Sequence, residues 1–186
     1  MICGIDASLT GTAVCIGDGS LWEVKRFPSK PNGDTVSGRL ARIETVVSDV
    51  VAYLGLYKPA AIFLENYAFG SKFGRETLGE LGGVLRWHLL DFTPDTLFEV
   101  APQCLKKFIT GKGAGQKDQV QAHIQRQWGE IFPTNDHADA FALYRLGLCA
   151  CGLAPMANQA QREAVEKVVG KELLSFAPAD VAGAPF

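Results

Sequence analysis

Four acidic residues stand where carboxylates could share one task. Asp6 closes the short apolar run Ile2 to Asp6, and Glu65 closes the near-continuous apolar run Ala60 to Glu65. Such runs read as strands buried on both faces, and in open α/β sheets the crevice beyond the carboxyl ends of parallel strands is where ligands sit. Adjacent strands would bring the two acids together. Carboxylates at one strand edge repel each other unless a cation neutralises them, and magnesium prefers such hard oxygen ligands. Asp136 and Asp139 are three residues apart at the start of an apolar segment, which puts both on one side of a helix. Acids there also complement the helix dipole. Asp139 opens the run Asp139-Ala140-Phe141-Ala142-Leu143, whose small residues allow the helix to lie close against a sheet that carries the other two acids.

The elements that must position these residues follow from the hydrophobic pattern. Ile2 to Asp6, Gly11 to Ile16 and Leu21 to Phe27 read as three successive strands, the last two a hairpin across Gly17-Asp18-Gly19. From Asp34 the period changes: Leu40, Ile43, Val47, Val50 and Leu54 mark one helix face, and Lys58-Pro59 ends it. A second helix spans Phe73 to about Leu90, with Gly79, Gly82 and Gly83 permitting a close helix approach. Thr96 to Val100 is a strand, Pro102 starts a helix reaching Ile109, and Gly111 to Gly115 is a loop. Gln116 to Trp128 is helical. Thr134-Asn135 caps a mostly apolar helix through Cys151, and one more amphipathic helix and a Pro/Ala-rich tail follow from Ala157. The expected fold is α/β: a five-stranded mixed sheet flanked by helices. Residues 1–152 form one domain and residues 153–186 a C-terminal helix and tail.

Composition bounds the rest. A chain of 186 residues, 47% hydrophobic and 20% charged, can bury a core of its own. No apolar stretch reaches the ~20 residues of a membrane span. The start MICGIDAS has no secretory pattern, so a soluble cytoplasmic protein is expected. Cys3, Cys15, Cys104, Cys149 and Cys151 lack zinc-ligand spacing and read as reduced core thiols. The net charge of −2 argues against a protein that coats nucleic acid by bulk charge. Yet between Ala101 and Trp128 the chain carries Lys106, Lys107, Lys112, Lys117 and Arg126 against Asp118, a locally basic surface or simply a solvated helix face.

Taken together the motifs resemble the RuvC Holliday-junction resolvases. Gly4-Ile5-Asp6-Ala7-Ser8-Leu9-Thr10-Gly11-Thr12 is similar to the first-strand motif of that family, Phe63-Leu64-Glu65-Asn66 to its second acidic motif, and His137 to Leu143 to its terminal acidic helix. Phe98 to Lys106 and Gly111 to Gln121 resemble the stretch leading to a lysine ahead of a helix. Each motif alone is weak; their order and spacing over Ile2 to Cys151 carry the resemblance.

The resemblance implies an RNase H-like fold, a homodimer, and a Mg²⁺-dependent endonuclease with two ions per site, for which Mn²⁺ substitutes. Four-way junctions are the implied substrate. Asp6, Glu65, Asp136 and Asp139 would be metal ligands. Lys117, and after it Lys106, would contact the scissile phosphate or neighbouring backbone, and Lys107 and Lys112 would join them in binding DNA. Tyr67 and Phe69 fall where an aromatic could stack on unpaired bases, or pack in the core. Two departures stand out. Ala7-Ser8 replaces a frequent Pro-Gly pair, and His137 directly follows Asp136, at a position that is Asp or His in the family, leaving either as fourth ligand. Competing readings are another RNase H-like nuclease acting on flaps or RNA/DNA hybrids, a junction-binding protein that does not cut, and an actin-like-fold sugar kinase, for which the chain is too short.

Overall fold

The structure is a computed structural model and describes residues 1–33, 35–66, 75–112 and 117–171. In chain order the elements are β1 (Ile2–Asp6), β2 (Thr12–Gly17), β3 (Trp22–Phe27), α1 (Val36–Tyr57), β4 (Ala61–Glu65), α2 (Arg75–Leu89), β5 (Leu97–Val100), α3 (Pro102–Thr110), α4 (Lys117–Trp128), α5 (Asn135–Ala150) and α6 (Gln159–Val169). The five strands form one mixed sheet in the order β3-β2-β1-β4-β5. β1, β2 and β3 are antiparallel neighbours, while β1 pairs with β4, and β4 with β5, in parallel. The expected five-stranded mixed sheet is therefore the sheet observed.

Strand periodicity sorts the core into two layers, because successive side chains point to opposite faces. Ile2, Ala13, Cys15, Ala61 and Phe63 pack with α3, α4, α5 and α6 on one face. Cys3, Ile5, Val14, Ile16, Ile62 and Leu64 pack with α1 and α2 on the other. Each large apolar side chain taken fully out of water here, such as Phe63 or Leu64, contributes roughly 1.5–3 kcal/mol. All five cysteines are buried and unbridged, as their apolar settings predict.

Helix ends follow local chemistry. Thr35 caps α1 by accepting from the Gly38 amide, and Lys58 stops it in a left-handed turn with φ 47°. Thr134 caps α5 through the His137 amide. The Arg39 guanidinium grips Glu80 at 2.7 and 2.9 Å, fastening α1 to α2. On the opposite face α6 packs on α3, where Lys107 pairs with Glu163 and the Cys104 thiol reaches the Ala164 carbonyl at 3.1 Å. No helix among the described residues is long and apolar enough to cross a membrane.

Helix α5 lies closest to the sheet. A Cβ on Gly4 would stand 2.3 Å from the Tyr144 amide nitrogen, and one on Gly147 would stand 2.5 Å from the Phe63 ring and 2.7 Å from Ile2. The two glycines thus let the helix backbone settle onto β1 and β4. They also fix its direction. Gly147 sits over the start of β1 and Tyr144 over its middle, so α5 runs against β1 and its N-terminal turn lies over the end of β1.

Candidate metal centre

That end of β1 is where the acids meet. Ile5 is in register with Leu64, so Asp6 and Glu65 come one step later on adjacent parallel strands. Parity gives both the same face: Ile2, Gly4 and Asp6 on β1, and Ala61, Phe63 and Glu65 on β4, point toward α5. Asp136 and Asp139 hang from the first turns of α5 above them. All four line one cleft of about 340 Å³, together with Ser8, Asn66 and Lys106.

The electrostatics of the cleft are strained in the absence of a cation. Burial holds the Asp6 carboxyl well above the usual carboxylate range, and the charges of Glu65 and Asp139, a hydrogen bond with the Glu65 side chain, and the charge of Asp136 push it the same way. Asp136 has a different neighbour: the Arg26 Nε donates to its Oδ2 at 2.8 Å. His137 turns aside, its Nδ1 2.7 Å from the Thr134 hydroxyl. Of the two candidates for a fourth ligand, Asp136 lines the cleft and His137 serves the helix cap.

The rim is tied down on both sides. After β1, the Thr12 hydroxyl donates to the Ser8 carbonyl at 2.8 Å and accepts from the Ser8 amide at 3.2 Å, closing the loop where Ala7-Ser8 departs from the expected motif. After β4, the Asn66 amide nitrogen donates to the Val100 carbonyl at 2.8 Å, and its side chain accepts from Arg86, which also pairs with Glu99. Beside the cleft, sharing Ser8 and Leu78 with it, a second cavity of about 510 Å³ is lined by Thr10, Asn32, Arg39 and Arg42. Arg42 donates to the carbonyls of Leu9 and Ser29 at 3.0 and 3.1 Å, and among the described residues no carboxylate pairs with it.

The basic residues singled out from the sequence do not stay together. Lys106 lines the cleft. Lys107, one position on, faces α6 and pairs with Glu163. Lys112 is exposed in the turn after α3. Lys117 is the first residue of α4, its side chain outside the described part of the structure, as are Tyr67 and Phe69 altogether. Sequence reasoning missed Arg26 and Arg42. Arg26 had a signal: Trp22, Val24 and Arg26 alternate onto the α5 face of β3, so a guanidinium stands at an apolar-phase position.

The donor set fits a hard divalent cation, since the cleft offers carboxylate oxygens whose mutual repulsion such an ion would relieve. Among the described residues no group of three or more His, Cys, Asp or Glu side chains is closed up enough to hold an ion as it stands.

Neither a protein-family model nor a curated protein sequence matches the chain. Solved structures do. RuvC of Thermus thermophilus superposes with a TM-score of 0.61 at 19% identity, covering 77% of this chain and 90% of that one. The fold is that of RuvC. A second structure of Thermus thermophilus RuvC, in complex with a Holliday junction substrate, matches with a TM-score of 0.61 at 18% identity over 77% of this chain and 89% of that chain. The RuvC-like, RNase H-like architecture thus accounts for the sheet and its helices. At such identity the roles of the cleft residues rest on this chain's own geometry.

Proposed function

We propose that the protein is a Mg²⁺-dependent, structure-selective DNA endonuclease that resolves four-way junctions in DNA recombination and repair. The observation that carries this reading is the convergence of Asp6, Glu65, Asp136 and Asp139 on one cleft at the carboxyl ends of β1 and β4. The similarity in fold to a RuvC solved with a Holliday junction substrate supports the choice of DNA.

In this reading Asp6, Glu65, Asp139 and Asp136 would hold two Mg²⁺ ions, replaceable by Mn²⁺, which when bound supply an activated water and charge stabilisation for phosphodiester hydrolysis. The chain's own part is placement. Lys106, on the cleft wall, binds the backbone phosphate that enters, and Lys117, at the start of α4, steadies the charge that builds on the phosphate oxygens. Lys112 and the Arg42 cavity follow the flanking strand, and Tyr67 and Phe69 stack on unpaired bases at the branch. The walls of Leu105, Ile109 and Val120 limit water in the cleft. The products carry 5′-phosphate and 3′-hydroxyl ends.

A homodimer completes the reading, because two sites related by a two-fold axis match a junction of near two-fold symmetry and give paired symmetric nicks. The outward face of α2 supports it: Trp87 is 74% exposed beside Val84 and Leu90, and Gly79 and Gly83 have no neighbour within 4 Å among the described residues. In this reading residues 1–152 form the nuclease unit of a cytoplasmic protein, α6 packs onto it, and the proposed tail from residue 172 on lies outside the described residues.

The deciding experiment incubates the purified protein with a four-way junction, a flap, a linear duplex and an RNA/DNA hybrid, with Mg²⁺ or chelator. Paired nicks in the junction alone, lost in Asp6→Asn while junction binding persists, are expected. Cleavage by Asp6→Asn at the wild-type rate would sink the site, and preference for the hybrid would replace the substrate. For Lys117→Ala the single-turnover rate should fall further than the affinity does.

A further inference from the structure

Arg26 stands in a cross-strand row with the acid cluster. Arg26 of β3 is in register with Ala13 of β2, and Ala13 with Asp6 of β1, so the three residues share one sheet face about 10 Å from end to end. Ala13 itself is buried in the core, and the Arg26 guanidinium lies against Gly11, two positions back along the chain. Its Nη2 donates to the Thr10 carbonyl at 3.0 Å and its Nε to Asp136 Oδ2 at 2.8 Å. Gly11 is the seat: a Cβ there would stand 2.0–2.1 Å from three atoms of the guanidinium. Both partners of the ion pair are 30% exposed, so the contact lies at the cleft mouth.

Building on the metal-centre reading above, we propose that Arg26 is a positioning residue that withholds Asp136 from the divalent cation. In the free protein, cation affinity is set by Asp6, Glu65 and Asp139, and Asp136 joins them only when the guanidinium is drawn off. Two physical effects act together. A guanidinium is a permanent cation, so it competes with a metal ion for the same carboxylate and repels the ion from the cleft. The Thr10 carbonyl and the Gly11 seat fix its position, so the competition is built into the fold and does not depend on a chance surface pairing. An anion of suitable geometry, such as a nucleic-acid phosphate, is the class of group that could take the guanidinium from Asp136, since arginine binds phosphate through paired N–H donors.

The test is Mn²⁺ binding by calorimetry in the absence of DNA, so that activity plays no part. Arg26→Met should tighten binding by about tenfold, the scale of removing one cation from a partly exposed site. Asp136→Asn in the otherwise wild-type chain should weaken binding only by the loss of one nearby charge, whereas in the Arg26→Met background, where the carboxylate also ligates the ion, it should weaken binding by several-fold more. Gly11→Ala supplies an independent arm. It keeps the charge but displaces a flexible side-chain end, and should tighten binding in the same direction. Exposed ion pairs contribute little to stability, so the Arg26→Met fold should persist, as a thermal melt will verify. Unchanged or weaker Mn²⁺ binding in Arg26→Met, or an equal effect of Asp136→Asn in both backgrounds, overturns the proposal. If neither wild type nor Arg26→Met binds Mn²⁺, the metal-centre reading itself fails and takes this inference with it.

Discussion

Gly4 and Ala140 meet so closely that a Cβ on the glycine would stand 2.4 Å from the Ala140 carbonyl oxygen. The obstacle is helix backbone, with the Tyr144 nitrogen equally near, so no rotamer change relieves it. Gly4→Ala should force α5 away from β1 at a cost of about 3 kcal/mol, at the upper end of overpacking. Urea unfolding should show a lower midpoint with an unchanged slope. Because the same displacement carries Asp136 and Asp139 off the cleft, Mn²⁺ affinity should fall as well.

Asp6 makes the metal-free protein sensitive to pH. Its folded-state pKa is raised by burial first and by Glu65 and Asp139 next. The sign follows from proton linkage: the stability this group contributes is fully present below the unfolded carboxylate value near 4 and is lost as pH rises through the folded value. In chelator, the melting temperature should therefore decline as pH rises from about 4, and Asp6→Asn should flatten that decline. At neutral pH the variant should melt a few degrees above wild type, roughly 2–4 °C per kcal/mol for a chain of this size. Added Mg²⁺ should reverse the ranking, since only the intact carboxylate set gains by mass action.

Lys106 and Lys107 are neighbours with different surroundings, one on the cleft wall and one against Glu163. Lys106→Ala should weaken junction binding and reduce the salt slope by about 1, the mark of one lost phosphate contact. Lys107→Ala should leave both unchanged and lower stability by less than about 1 kcal/mol. Equal losses in the two variants would mean that the whole basic stretch acts as a diffuse surface.

Trp87 is an exposed aromatic on the outer face of α2. Trp87→Glu should convert a dimer into monomers in sedimentation velocity while the melting temperature of the monomer holds. If the wild-type chain sediments as a monomer at tens of micromolar, the dimer reading is wrong.

How much of this was legible beforehand differs residue by residue. Asp6 and Glu65 were readable because a buried parallel strand declares itself as an unbroken apolar run, and the acid that ends it is conspicuous. Their sharing of a face with α5 was not, because a run apolar on both sides hides its own phase until the register with a neighbour is known. The three-residue spacing of Asp136 and Asp139 gave their common side, but Arg26 lies 110 residues from Asp136 and no local pattern links them. The split between Lys106 and Lys107 depended on where α6 docks, a tertiary fact. For Gly79 and Gly83 a close helix approach was the expectation, and neither has a neighbour within 4 Å among the described residues, so no such approach is met there.

The closeness of α5 to β1 has a consequence in time. The strand that carries Asp6 leaves the ribosome among the first residues of this sequence, and the helix that carries Asp139 well over a hundred residues later. At the usual pace of synthesis that interval is on the order of ten seconds. Through all of it β1 lacks the layer that covers it, and the four carboxylates share no cleft. In the proposed reading, a ribosome-bound fragment would have no means of cutting the nucleic acid around it, and competence would arrive in one step, when α5 closes on β1.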